Sequence, residues 1–343
     1  MTLGTSGAST PPDAWVPVAA LAQPGEAPLS TRAFGTDLVV WQEGDALHAL
    51  VDRCPHRGAR LSLGHPVPGG LQCAYHGWTF AGDGRCLRVP AQPDFVPPEG
   101  HGVRAWQARG RHGLVWVRPG GTDDRGPPAL DALPERRVLT GPFTVATSAP
   151  RVVENFLDIA HFEFVHPGTL GSPGQPPVAD YSVAFQPDGR PGIESVRVWQ
   201  PRAMASATAG GWVDYRYEVL GPYSALLAKR PVDGTNGDAY ALFVLPVEET
   251  LSRVWFLQAT TDTQTPTATL QAFQSAVFEQ DRPVIESQQP ARLPLDRSAE
   301  RHCPADRLAN AYRDWLRATN VRYGTCDSNQ PPARSYSING PTE

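Results

Sequence analysis

No stretch of this 343-residue sequence approaches 18 consecutive apolar residues, so no membrane-spanning helix is expected. The first 13 residues lack the basic-then-apolar order of a secretory leader, and a cytoplasmic location is expected. Positive charge is not in excess: 30 Lys and Arg against 35 Asp and Glu leave a net charge of -5 and a pI ≈ 6.0. That balance excludes a general nucleic-acid surface, while leaving room for a local basic patch toward an acidic redox partner. Five cysteines are odd in number and give no disulfide framework, which indicates a reducing compartment. Glycine-rich stretches occur, but none is followed by a strand-helix-strand pattern, so no built-in nicotinamide or flavin site is expected. What remains is a globular composition, 41% hydrophobic and 19% charged, long enough for two domains each with its own core.

The early part alternates as strands over residues 14–18, 37–42 and 46–51, with Glu43, Gly44 and Asp45 as a hairpin turn. The strongest pattern follows. Cys54 and His56 are separated by one residue, Cys73 and His76 by two, and sixteen residues lie between His56 and Cys73. Thiolates suit a sulfide-bound ferric iron and neutral imidazoles a second iron at higher potential, which is the ligand set of a Rieske [2Fe-2S] cluster. A zinc site is the competing reading, but each short pair here mixes one Cys with one His, which finger-type spacings do not. Gly58, Gly64, Gly69, Gly70 and Gly77 allow the close turns that such a cluster needs. Tyr75 and Trp78 are expected to shield it, and Arg57 and Trp78 are candidates for a surface that meets another protein. Strands then close this part through Trp106 and Val117, and the Pro- and Gly-rich residues 119–128 read as a linker.

A second pattern begins at Arg151. Asn155, Asp158 and His161 fall at i, i+3, i+6 on a helix that is otherwise mostly Val, Leu, Ile, Ala and Phe, with His166 five residues on. Two imidazoles and a carboxylate suit a redox-active iron with open positions; a buried, hydrogen-bonded Asp and His pair is the plainer alternative. Residues five apart stand 140° apart on a regular α-helix, so both histidines reach one metal only if the backbone between Phe162 and Val165 is irregular or ends there. Pro167 and Gly168 favour an ending.

With both patterns in this order, the sequence resembles the catalytic α subunits of Rieske non-haem iron oxygenases from about residue 15 to 326. The resemblance implies an α+β fold: an N-terminal all-β Rieske [2Fe-2S] domain (14–120) after a disordered start (1–13), a linker (121–128), a helix-grip catalytic domain with a curved antiparallel sheet (129–326), and a tail (327–343). It implies one [2Fe-2S] cluster on Cys54, His56, Cys73 and His76 and one Fe(II) on His161 and His166, with Asp158 as bridge between redox centres and Asn155 near the iron. It demands a third iron ligand downstream. Between residues 271 and 288 a helical segment carries Val277, Asp281 and Ile285 at i, i+4, i+8, so Asp281 is an acid on an apolar stripe, which is costly unless partnered. Glu279 and Glu286 fall away from that stripe. Asp281 is therefore the expected third ligand, and Pro283 is expected to kink the helix or start a turn just beyond it.

The middle reads as strands over 143–147, 178–185, 193–199, 212–219, 239–246 and 252–260, with a hairpin loop at Glu248, Glu249 and Thr250. Tyr215, Tyr217, Tyr240, Phe243 and Trp255 are candidates to line a space between this sheet and the iron helix, with core packing as the alternative for each. A helix is expected over 306–318. Cys86, Cys303 and Cys326 read as free thiols, and His48, His65, His101, His112 and His302 as solvent-facing or hydrogen-bonded. By the resemblance, electrons come from a separate NAD(P)H-dependent reductase or ferredoxin, O2 and a small aromatic or alkaloid-like molecule are the substrates, and the chain forms a homotrimer. Chain length and the Gln280, Asp281 context are similar to the hydroxylating and demethylating members, with a ring-cis-dihydroxylating dioxygenase and an electron carrier without oxygenase activity as alternatives. Residues 287–294 and 323–326 are similar to the cyanobacterial hydroxylases of saxitoxin biosynthesis.

Overall fold

The computed structural model describes residues 11–327 apart from 22–26, 121–124, 131, 175–176, 203–208, 233 and 235–236. Most of the expected disordered start, half of the linker and nearly all of the tail lie outside the described residues. Ten strands come first: β1 (Val16–Ala20), β2 (Leu29–Ala33), β3 (Thr36–Glu43), β4 (Ala46–Val51), β5 (His65–Val67), β6 (Gly70–Gln72), β7 (Thr79–Phe80), β8 (Cys86–Arg88), β9 (Ala105–Arg111) and β10 (Leu114–Arg118). They form a six-stranded antiparallel sheet, β1-β10-β9-β4-β3-β2, and a four-stranded one, β5-β6-β7-β8. Gly44, at a φ of 57°, makes the tight turn between β3 and β4.

The remainder contains β11 (Arg136–Val145), α1 (Ala149–Leu157), α2 (Phe162–Val165), β12 (Ala184–Phe185), β13 (Pro191–Gln200), β14 (Gly211–Gly221), β15 (Ser224–Pro231), β16 (Asp238–Glu248), β17 (Leu251–Thr260), α3 (Thr267–Ser287) and α4 (Arg307–Ala318). Seven strands make one antiparallel sheet in the order β11-β17-β16-β15-β14-β13-β12. β16 is buried from Asp238 to Val247 because it is covered on both faces. Tyr240 and Leu242 line a cavity, while Phe243 meets Trp116 of β10 edge-on at 4.9 Å. A strand covered on both sides reads as a continuous apolar run rather than an alternation. The two sheets thereby share one core, in which Val16, Trp116, Phe243 and Leu245 all belong to the same buried cluster.

Two expectations need correction, and a third element is longer than expected. Residues 178–183 are not a strand; only Ala184–Phe185 pairs with β13. β15 has no counterpart in the sequence reading, because Ser-Ala-Leu-Leu-Ala-Lys-Arg lacks β-branched residues and the period of two. α3 begins at Thr267 and runs through Pro283 to Ser287 without ending there. Pro283 is on the exposed side, where solvent replaces the missing backbone hydrogen bond.

A buried ion network fixes α1 against α4. Arg313 Nε and Nη2 donate to Glu154 at 2.5 and 2.9 Å, Arg313 also reaches Glu300 at 2.5 Å, and Arg151 binds Glu300 at 2.6 Å and the Pro290 carbonyl at 3.0 Å. Removing one member of a buried, mutually paired set strands the others, so Arg313→Met is expected to cost about 3–5 kcal/mol in denaturant unfolding. Burial opposes the charge of Glu300, but Arg151 and Arg313 overcome it and hold its carboxyl below the ordinary value of 4.5. The stabilisation is therefore complete above about pH 4.5 and is lost as pH falls through the depressed value. Glu300→Gln should flatten that acid limb of the stability curve; a limb of unchanged slope would contradict this.

Candidate metal centres

The first centre is built from two loops with the same hydrogen bonding. In one, the Gly58 amide donates to the Cys54 carbonyl (2.9 Å) and the Cys54 amide to Ala59 (2.8 Å); in the other, Gly77 donates to Cys73 (3.0 Å) and Cys73 to Trp78 (2.8 Å). Gly58 and Gly77 stand at φ of 74° and 70°, which glycine adopts without strain. The loops set both cysteines inward, each 2% exposed, and bring the His56 and His76 rings to 4.5 Å. Trp78 stacks on His56 at 4.6 Å and 4°, and on its other side lies His101 at 5.4 Å. His101, expected to be solvent-facing or hydrogen-bonded, instead extends this aromatic stack. Trp78 is therefore a packing residue; Tyr75, 64% exposed, covers the outer His76 at 3.8 Å.

Burial first, and the facing Cys73 after it, push the Cys54 thiol up to about 11 against the opposing pull of the His56 and Arg57 amides. Burial and the neighbouring His76 hold His56 below its ordinary value. His56 Nδ1 is a buried atom without a hydrogen bond. A buried thiol pair beside an imidazole pair, with one ring nitrogen buried and unsatisfied, fits an iron–sulfur group of unsymmetrical ligation.

The second centre departs from the helix expected for it. α1 ends at Leu157, Asp158 is extended (φ -85°, ψ 135°), and His161 precedes α2. Asn155, Asp158 and His161 thus do not lie along one helix; Asp158 Oδ1 instead accepts from the Ala160 amide at 2.8 Å, a local turn that brings Oδ2 within 3.1 Å of His161 Nδ1. α2 ends at Val165, and His166 leaves helical geometry at φ -119°, ψ 50°. The backbone therefore ends rather than widens, as the five-residue spacing requires, and His161 Nε2 lies 3.2 Å from His166 Nε2. Gly171 packs so close to Phe162 that a side-chain carbon would sit 2.1 Å from its carbonyl oxygen, which locks the exit loop.

Asp281 Oδ1, from α3, is 3.4 Å from His161 Nε2 and 3.2 Å from His166 Nε2. The three donor atoms make a near-equilateral triangle, and among the described residues they are the one His, Cys, Asp or Glu group close enough for a single ion. Bonds of ~2.1 Å at right angles put donors about 3.0 Å apart, so this triangle fits three ligands on one face of an octahedral ion. Asn155 donates to Asp281 Oδ1 at 3.4 Å, and Gln280 Oε1 accepts from His166 Nδ1 at 2.9 Å. The partnership of Gln280 with His166 is absent from the sequence reading: one residue from Asp281, it points elsewhere on the helix, and only the three-dimensional path of α2 brings His166 to it. Burial opposes ionisation of Asp158, but the His161 hydrogen bond and charge and the Ala160 and Ile159 amides hold it below the carboxylate range. Burial likewise opposes His161, which the Asp158 bond and charge and Asp281 raise. Glu279 instead binds Arg282, and Glu286 accepts from the Ala146 amide.

The triangle opens into a cavity walled by Phe156, Phe162, Leu170, Leu227, Phe273 and Phe278 among others. Tyr215, Tyr217 and Tyr240 line it; Phe243 and Trp255 do not, because they face the sheet-to-sheet core.

A twin-loop sulfur and imidazole site on one sheet, and a two-histidine, one-carboxylate face beneath an apolar cavity on another, define an oxygen-activating iron enzyme fed through an iron–sulfur centre. Residues 14–107 match the Rieske [2Fe-2S] domain and residues 145–321 the vanillate O-demethylase oxygenase C-terminal domain. The chain is 32% identical over 296 residues to methylxanthine N1-demethylase NdmA of Pseudomonas putida, covering 84% of this chain and 82% of that one. It is 30% identical over 293 residues to the putative toluene-4-sulfonate monooxygenase system iron-sulfur subunit TsaM2 of Comamonas testosteroni, covering 76% and 83%. The solved structure of Pseudomonas putida CBB5 NdmA with caffeine superposes at a TM-score of 0.76 with 31% identity, over 88% of this chain and 89% of that one. The chain belongs to the Rieske non-haem iron oxygenases, as a catalytic subunit of the monooxygenase and demethylase kind; its cofactors are a [2Fe-2S] cluster and a mononuclear iron, its electrons come from a reductase or ferredoxin, and it acts with O2 on a small organic substrate. No helix among the described residues is long and apolar enough to cross a membrane.

Proposed function

We propose that Cys54, His56, Cys73 and His76 hold the cluster, that His161, His166 and Asp281 hold the iron, and that the enzyme removes a methyl group from, or hydroxylates, a substrate bound in the cavity above them. The observation that carries this is the triangle of donor atoms at 3.2–3.4 Å on the cavity wall. The relatives' names range from a methylxanthine to an aryl sulfonate, which supports a cyclic, mostly planar substrate. When bound, the cluster and iron supply single electrons and the activation of O2.

The chain's own groups prepare the site. Asp158 and Gln280 each accept a hydrogen bond from the Nδ1–H of one histidine, which fixes both tautomers and leaves both Nε2 lone pairs facing the point shared with Asp281. Asn155 holds the Asp281 carboxylate. Phe156, Phe162, Phe256 and Phe278 exclude water from the cavity and present flat apolar walls to a ring. Asp158 keeps 33% of its side chain open, which supports a homotrimer in which it meets a cluster histidine such as His76 of a neighbouring chain. Tyr75 and His76 are exposed, as the cluster face of such a contact needs.

The test is turnover with a reductase and methylated aromatic or heteroaromatic compounds: formaldehyde equal to reductant consumed is expected. A cis-diol product without formaldehyde would replace this reading with ring dihydroxylation. Gln280→Leu should weaken iron retention against a chelator by roughly 10–100-fold. Unchanged retention would show that the amide does not hold His166.

A further inference from the structure

The cavity wall carries polar groups that the metal triangle does not use, and most of them are already engaged. Tyr240 donates to Asp238, Asn155 holds Asp281, and Lys229 is partnered, its ammonium lying over the Tyr215 and Tyr240 rings. The Tyr215 hydroxyl is buried out of reach of the cavity. Two groups remain. Tyr217 on β14 and Gln274 on α3 line the cavity, are 2% and 8% exposed, and have no hydrogen-bond partner among the described residues.

The two stand at different ends. α3 presents Gln274, Val277, Phe278 and Asp281 to the cavity at i, i+3, i+4 and i+7, so Gln274 lies two turns, about 10 Å along the helix, from Asp281. Tyr217 is at the metal end. Its ring meets Phe156, the residue after Asn155, edge-on at 6.0 Å, and it meets Tyr215 at 5.8 Å, which in turn meets Phe162, between the two histidines, at 6.0 Å. Burial, with Tyr215, Asp158, Tyr181 and Asp281 adding to it, holds the Tyr217 phenol well above the ordinary value of 10. The carboxylates acting on it are those of the metal site, and the phenol stays protonated, a donor at every working pH.

A hydroxyl left without a partner in an apolar wall is costly, and phenylalanine, as at Phe156, Phe256 and Phe278, would fill the same space without that cost. A substrate acceptor next to the carbon that lies at the metal would meet the hydroxyl. A carbon-bound methyl group brings no such acceptor; a methyl ether brings its oxygen.

We infer that Tyr217 donates a hydrogen bond to the substrate oxygen that bears the methyl group, so that the cavity selects aryl methyl ethers over rings carrying an alkyl group of the same shape. This rests on the oxygenase reading above and deepens it: of the two reactions named there, it favours removal of a methyl group from oxygen.

Anaerobic calorimetric titration of the holoenzyme with 4-methoxybenzamide and 4-ethylbenzamide tests it, because the two ligands differ only by an oxygen in place of a methylene. The ether is the better hydrated in water, so tighter binding of it needs a hydrogen bond in the site. The wild type should bind the ether about threefold to tenfold more tightly than the ethyl compound. Tyr217→Phe should erase that preference while binding the ethyl compound at least as tightly as the wild type does. Equal binding in the wild type, tighter binding of the ethyl compound, binding of neither, or a preference that survives in Tyr217→Phe would overturn the contact. Should Tyr217→Phe fail to fold, the wild-type order of the two ligands decides. Iron and sulfide content of the same preparation separates the two readings: an ether preference erased by Tyr217→Phe in a protein that cannot hold iron keeps the contact and removes the oxygenase assignment.

Discussion

Asp281→Ala is expected to leave the mononuclear site empty and abolish turnover while the visible absorption of the cluster is unchanged. The carboxylate is the one anionic corner of the triangle, and without it two neutral imidazoles remain to hold a divalent ion. Loss of an outer partner to a ligand typically costs 10–100-fold, so loss of the ligand itself should exceed ~100-fold in iron affinity. The cluster should survive because its cysteines pack in a separate small core with Val39, Leu50 and Phe80. The two other acids of α3 are engaged elsewhere: Glu279 is held by Arg282 at 2.6 Å, and Glu286 accepts from the Ala146 amide at 2.8 Å. Iron retained at wild-type level with full turnover would reassign the third ligand to one of them.

Asp158→Asn should give the second largest effect, and through a different route. Asparagine keeps the shape and an oxygen for the Ala160 amide, so the local turn and the position of His161 are expected to persist. What is lost is the negative charge that burial opposes and His161 sustains. Both metals should remain bound and the assembly should form, while electron delivery to the iron slows by ~100-fold or more. Single-turnover oxidation of the reduced cluster at the wild-type rate would show that Asp158 only orients His161.

The candidate ligand residues were legible because soft and hard donors at short spacings have few structural explanations. Cys54, His56, Cys73 and His76 are close in sequence, and their pairing needs only two similar loops. Asp281 was found because an acid on an apolar stripe is costly, an argument independent of how the chain folds. The geometry between Asn155 and His161 was less legible: helical periodicity suggested one helix through Asn155, Asp158 and His161, whereas an Asx turn at Asp158 breaks it and sets His161 and His166 at the two ends of a single helical turn. The place of Lys229 on the cavity wall and the bond of Gln280 to His166 escaped notice because both are tertiary. Lys229 lies on β15, whose composition hides the strand, and Gln280 matters only through the path that carries His166 to it. β16 was recognised as a strand, but not the division of its faces: Tyr240 and Leu242 go to the cavity and Phe243 to the neighbouring sheet, which depends on a domain packing that no local pattern records.

The most direct test of the central assignment is metal and sulfide analysis of the purified chain. The two ligand sets predict iron and acid-labile sulfide in a ratio of three to two, falling to two to two in Asp281→Ala. One zinc per chain with no sulfide would contradict the account.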